Sequence, residues 1–186
     1  MTMSESNEWI ELSRDCEAAM VPAGHTVLLP KGTKAVITQS LGGSFTLHVP
    51  EYGGLMRVSS KDADAVGQEP EAVPTAEAEA GESDLETLVW GQLKTCYDPE
   101  IPVNIVDLGL VYDMQLLPSD EGKHRVEVKM TLTAQGCGMG PNIAADAQYK
   151  IETLPDIENA NVEIVWTPIW NPNMISPEGR TKLGMD

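Results

Sequence analysis

His124-Arg125-Val126-Glu127-Val128-Lys129-Met130-Thr131-Leu132-Thr133-Ala134-Gln135-Gly136-Cys137-Gly138-Met139-Gly140-Pro141 is the stretch that decides the fold. Val126, Val128, Met130 and Leu132 alternate with Arg125, Glu127, Lys129 and Thr131. That period of two buries one face of a strand and leaves the other in water. Past Leu132 the alternation stops and three glycines crowd the loop. Pro141 suits the first position of a helix, where it has no needed N–H to lose. Ala144, Ala147, Ile151 and Leu154 then recur at helical spacing. The stretch reads strand, loop, helix.

Working outward, Leu110 to Leu116 reads as a strand and Pro118 to Gly122 as the turn of a hairpin. Downstream, Asn161 to Trp166 reads as a third strand, and Ser176 caps a short terminal helix. Upstream, Ser83-Asp84-Leu85-Glu86 has capping-box spacing, and Leu85, Leu88, Val89, Leu93 and Cys96 share a helical face. This helix is predicted to stop at Asp98-Pro99, because proline disfavours helical geometry in the residue before it. The order αββαβα with a right-handed crossover predicts an α+β, two-layer sandwich with a three-stranded mixed sheet over 84–186.

Residues 68–83 are rich in acids, alanine and proline and lack Lys and Arg. Such a segment buries too little apolar surface to offset its ordering entropy and is expected to be a flexible linker. Before it, residues 1–67 hold four short β-like runs, at His25–Leu29, Ala35–Thr38, Ser44–Val49 and Leu55–Val58, separated by turn residues. They predict a small all-β domain, a barrel or roll.

The formal net charge of -17 repels phosphate backbones, so nucleic acid is not an expected partner. No apolar run is long enough to span a bilayer, and Met1 to Arg14 does not read as a secretory signal. The cytoplasm is the expected compartment. Cys16, Cys96 and Cys137 are an odd, widely spaced set without a CxxC, which fits reduced thiols and excludes a disulfide framework. His25, His48 and His124 are scattered, so no closed zinc site is legible.

Cys137 is the candidate working group. It lies between the C-terminal end of a strand and the start of a helix, where partial positive charge favours a thiolate. The flanking glycines would let the backbone approach whatever the sulfur binds, and Thr131 and Thr133 could donate hydrogen bonds to it. Asp98-Pro99-Glu100-Ile101-Pro102 forms a second feature: two prolines would stiffen a turn from which Asp98 and Glu100 project as candidate metal ligands. Asp107-Leu108-Gly109 reads as bracing, with Gly109 permitting a tight bend. Cys96 reads as core, Cys16 has no supported role, and Trp166 reads as packing against the sheet edge. Trp170 either packs or walls the Cys137 loop.

These motifs resemble the PaaD-like metal–sulfur cluster assembly family. The resemblance rests on Asp98 to Pro102, Asp107 to Val111, the Thr-x-Thr-x-x-x-Cys loop ending at Cys137, and Trp170 with Met174 and Ser176. Arg14-Asp15-Cys16, Ile37 to Gly43 and Ser44 to Thr46 resemble its SufT branch. Before Trp170 the chain reads Thr-Pro-Ile, where relatives have Pro-Pro. The resemblance implies an accessory factor delivering iron–sulfur clusters to client proteins, without turnover of a small substrate. Its partners would be assembly scaffolds or carriers and apo clients. Cys137 would ligate iron or a cluster transiently, with nothing held tightly by the monomer, since one thiol cannot close a four-thiolate site. A homodimer would supply two thiols. Two other readings follow from the residues: a cysteine-independent binding module, and a thiol enzyme needing a base near Cys137.

Overall fold

The computed structural model describes residues 9–69, 82–98 and 101–185. The chain divides into two compact units, Met1–Glu71 and Ala72–Asp186. Most of the predicted linker, Glu100 and the side chain of Ser83 lie outside the described residues.

The first unit is one antiparallel sheet of β1 (Trp9–Glu11), β2 (Cys16–Val21), β3 (Thr26–Leu29), β4 (Lys34–Leu41), β5 (Ser44–Val49) and β6 (Gly54–Val58). β1 pairs with β4 and β2 with β3 in a single unbroken register, from Trp9 opposite Val36 to Ala19 opposite Thr26. Leu12 bridges the gap: its N–H donates to Thr33 O at 3.0 Å and its carbonyl accepts from Gly32 N at 2.9 Å. Residues 9–36 are therefore one long hairpin bent at a corner. β2 also pairs with β6, β6 with β5, and β5 with β4. Hydrogen bonding thus returns to its origin and closes a small roll, which leaves little open sheet edge.

The four predicted strands correspond to β3–β6, whereas β1 and β2 are additions. Cys16-Glu17-Ala18-Ala19-Met20-Val21 has weak intrinsic strand preference. Pairing on both edges and burial of Cys16 and Ala18 in the core make it a strand. Arg14 holds the corner: its Nε and a terminal nitrogen donate to Asp64 at 2.8 and 2.7 Å, and that nitrogen also reaches Asp62 at 2.9 Å. Those contacts hold the Asp64 carboxyl below its ordinary range.

The second unit has α1 (Glu82–Leu93), β7 (Val111–Pro118), β8 (His124–Met130), α2 (Gly140–Glu152), β9 (Ile157–Ile164) and α3 (Pro177–Leu183). β7 pairs antiparallel and β9 parallel to β8, giving the mixed sheet order β7-β8-β9. Val126, Val128 and Met130 are buried with Leu85, Val89, Leu93, Ile143, Ala147 and Ile151 of the helices. Arg125 and Lys129 on the alternate face are exposed. Ser176 Oγ accepts from Gly179 N at 3.1 Å, the predicted cap.

Several boundaries differ from the sequence reading: β7 runs on to Pro118, β8 stops at Met130 and β9 ends at Ile164. α1 begins at Glu82, so Ser83 stands within the helix and not at its cap. It ends at Leu93, short of Asp98, because the backbone beyond is taken elsewhere: Cys96 O accepts from Ile105 N at 2.9 Å and Tyr97 bridges to Asn104. β9 starts four residues before the predicted Asn161. Pairing along β8 recruits Ile157 to Ala160, although Glu-Asn-Ala is a poor strand sequence.

Candidate functional site

β8 and β9 run parallel, so their C-terminal ends share one end of the sheet, and antiparallel β7 begins there. Thr131 N donates to Leu110 O at 2.7 Å, and Val165 N donates to Met130 O at 2.7 Å. The segment before β7, the loop after β8 and the segment after β9 are thereby joined. Cys137 lies in the middle one, and its carbonyl accepts from Gly140 N at 3.2 Å as α2 starts.

The glycines of this loop do different work. Gly136 has φ +83° with nothing within 4 Å of where a Cβ would stand, so it serves the turn. A Cβ on Gly140 would meet Leu132 Cδ1 at 2.5 Å and Ile164 Cδ1 at 3.3 Å. Gly140 therefore seats α2 against the strands, a packing role where the sequence reading expected approach to a ligand. Thr131 is buried and Thr133 half-buried on the same loop.

Asp98 does not project as expected. It is buried, because the Tyr97–Asn104 bridge folds this turn onto the unit. Glu100 lies outside the described residues. Among the described residues no group of three or more His, Cys, Asp or Glu side chains could hold a metal ion. His124 stands at the opposite end of β8 from the Cys137 loop, and seven strand residues span roughly 20 Å. It is out of reach as a base for the thiol.

The bracing role read for Asp107 is far more extensive than the sequence conveyed. Its carboxylate accepts from Asn104 Nδ2 at 2.6 Å and Ser176 Oγ at 3.0 Å, with Lys182 Nζ at 3.8 Å. Its carbonyl accepts from Ser176 N at 2.8 Å. Trp170 Nε1 donates to Leu108 O at 2.7 Å, and Tyr112 Oη donates to Pro168 O at 2.7 Å. These bonds lace residues 165–176 across the end of the sheet as a strap. Trp170 is pinned, while Trp166, expected to pack, is 38% exposed. The Asn104-x-x-Asp107 spacing was the readable signal of this node.

The three thiols differ in access. Cys16 and Cys96 are buried, and Cys137 is partly exposed. Burial, followed by the charge of Asp62, pushes the Cys16 thiol up to about 11. At pH 8 this leaves roughly one Cys16 in a thousand as the reactive thiolate. Iodoacetamide at pH 8 is therefore expected to label Cys137 alone in the folded chain, and all three cysteines in urea. Peptide mass spectrometry reads the sites, and native labelling of Cys16 ahead of Cys137 would contradict the assignment.

The profile of the iron–sulfur cluster assembly protein family matches residues 86–164, within the second unit. An Fe-S protein maturation auxiliary factor of Porphyromonas gingivalis is 39% identical over 92 residues, covering 50% of this chain and 84% of that protein. The auxiliary factor SufT of Staphylococcus aureus is 41% identical, covering 47% of this chain and 96% of that protein. YitW of Bacillus subtilis, with the same description, is 35% identical and covers 56% and 98%. No helix among the described residues is long and apolar enough to cross a membrane.

Proposed function

The chain belongs to the iron–sulfur cluster assembly protein family, and from that premise we propose that it is an accessory factor in iron–sulfur protein maturation that works through Cys137. One observation carries the reading: of three thiols, Cys137 is the partly exposed one, on the loop between the end of β8 and the start of α2. Iron or a cluster is its cargo, not a resident group. A single thiolate leaves most of a cluster's coordination to other ligands, so the cargo passes to a client's cysteines and does not rest here. Thr131 and Thr133, on the same loop, would support the sulfur. The factor turns over no small substrate and works in a reducing compartment, the cytoplasm, beside scaffold or carrier proteins and apo clients. A small thiol would supply the second sulfur during transfer.

The test compares wild type with Cys137→Ser in cells lacking the native protein. Aconitase and other iron–sulfur enzyme activities are expected to stay at the deletion level while the variant remains folded and abundant. Full rescue by Cys137→Ser would demote the thiol to a loop residue and leave a cysteine-independent adaptor in its place.

A further inference from the structure

Residues 130–145 and 164–177 contain no Asp, Glu, Lys, Arg or His, in a chain that is 22% charged and carries -17 overall. The two stretches run on from the C-terminal ends of β8 and β9, and they touch. Val165 N bonds to Met130 O, and Ile164 Cδ1 approaches Gly140. The charge-free sequence is thus gathered at the end of the sheet that holds the Cys137 loop. Within it Ile169 is 75% exposed and Trp166 38%.

Ile169 is not a stray residue on a free loop tip. The carbonyl of Pro168 before it accepts from Tyr112 Oη, and Trp170 after it is pinned to Leu108 O. The backbone therefore holds an isoleucine out in water, which burial against another surface would relieve. Loss of charge with exposed aromatic and aliphatic side chains is the composition of the centre of a protein interface.

We propose that this end of the sheet, where the two charge-free stretches meet and Asp107, Arg180 and Lys182 stand at its flank, is the docking surface for an apo iron–sulfur protein, met at its cysteine-bearing loop. The inference rests on the maturation reading and adds to it the surface and the kind of segment that occupies it. Two arguments fix the occupant. A second copy would bring another -17 against the first, a repulsion that disfavours self-association. The thiol beside the patch needs thiolates from its partner, which an empty cluster loop provides.

The test uses the full chain and apo-aconitase as probe, in iron-free reducing buffer, with binding read by interferometry. Wild type is expected to bind apo-aconitase more tightly than the cluster-loaded enzyme. Ile169→Asp is expected to weaken binding about tenfold or more, with its melting temperature and Cys137 labelling rate unchanged. Trp166→Asp, on the same strap, should act in the same direction. Cys137→Ser should keep affinity within about threefold, because docking is apolar. Wild-type affinity in Ile169→Asp would overturn the proposal, as would equal binding of apo and loaded enzyme, or none by wild type. A wild-type dimer that Ile169→Asp converts to monomer would overturn it in favour of a second copy. If Cys137→Ser restores enzyme activities in cells and Ile169→Asp does not, the docking surface stands and transfer through the thiol falls.

Discussion

Gly109→Ala is expected to cost the second unit about 3–5 kcal/mol of stability, several times the cost of Gly136→Ala. Both glycines sit in the left-handed region, at φ +72° and +83°. An alanine there pays roughly 1–2 kcal/mol for its conformation at either place. The difference lies in what the new carbon meets. At Gly136 nothing stands within 4 Å, whereas at Gly109 Met174 O would be 2.2 Å away and Met174 C 2.8 Å. These are backbone atoms, so relief requires the strap to move off the turn. Such a shift pulls on the Trp170–Leu108 bond at one side and the Ser176–Asp107 bonds at the other. Each is worth about 1 kcal/mol net. Urea unfolding of the full chain, followed by tryptophan fluorescence, measures both variants, since Trp166 and Trp170 belong to the strap itself. Equal midpoints for the two variants would show that close approach does not govern this turn.

That turn also marks how far the sequence could be read. Asp107 as brace and Gly109 as bend were legible, because each is a local demand that one residue type meets. The partners were not, since Ser176 and Met174 lie more than sixty positions away. The same division holds elsewhere. β8 announced itself by alternation and α3 by its cap, both short-range patterns. β2 did not, because an Ala-rich segment becomes a strand here only through two pairings and a buried face. The corner at Leu12 is likewise a product of register, which no single residue signals.

The candidate site divides in the same way. Cys137 stood out by its glycines and its place between strand and helix. Which of those glycines serves the turn and which serves packing depended on Leu132 and Ile164. Two prolines promised a projecting Asp98, and the bridge from Tyr97 to Asn104 buried it instead. Trp166 and Trp170 are chemically alike and four residues apart, yet a single carbonyl at Leu108 decides which is pinned.

Lys150→Met is expected to destabilise the second unit by about 3 kcal/mol, although it replaces a charged side chain with an apolar one of similar length. Lys150 and Asp146 are 3.2 Å apart on successive turns of α2, with side chains only 8% and 6% exposed. Lys150 Nζ also donates to Thr95 O at 2.8 Å, which ties α2 to the chain just past the end of α1. Removing the lysine keeps the Asp146 carboxylate out of water without its nearest counter-charge, and that desolvation exceeds what the methionine gains by burial. Asp146→Leu should cost a similar amount for the mirror reason. Both replacements together remove both charges, so the double variant should lie within about 1 kcal/mol of wild type. Urea midpoints of the four proteins close the cycle. Cys96 follows Thr95 and is buried, so its labelling rate in the native state should rise in each single variant and fall back in the double. If the two single losses simply add in the double variant, Lys150 and Asp146 are held by separate partners and the pair itself contributes nothing.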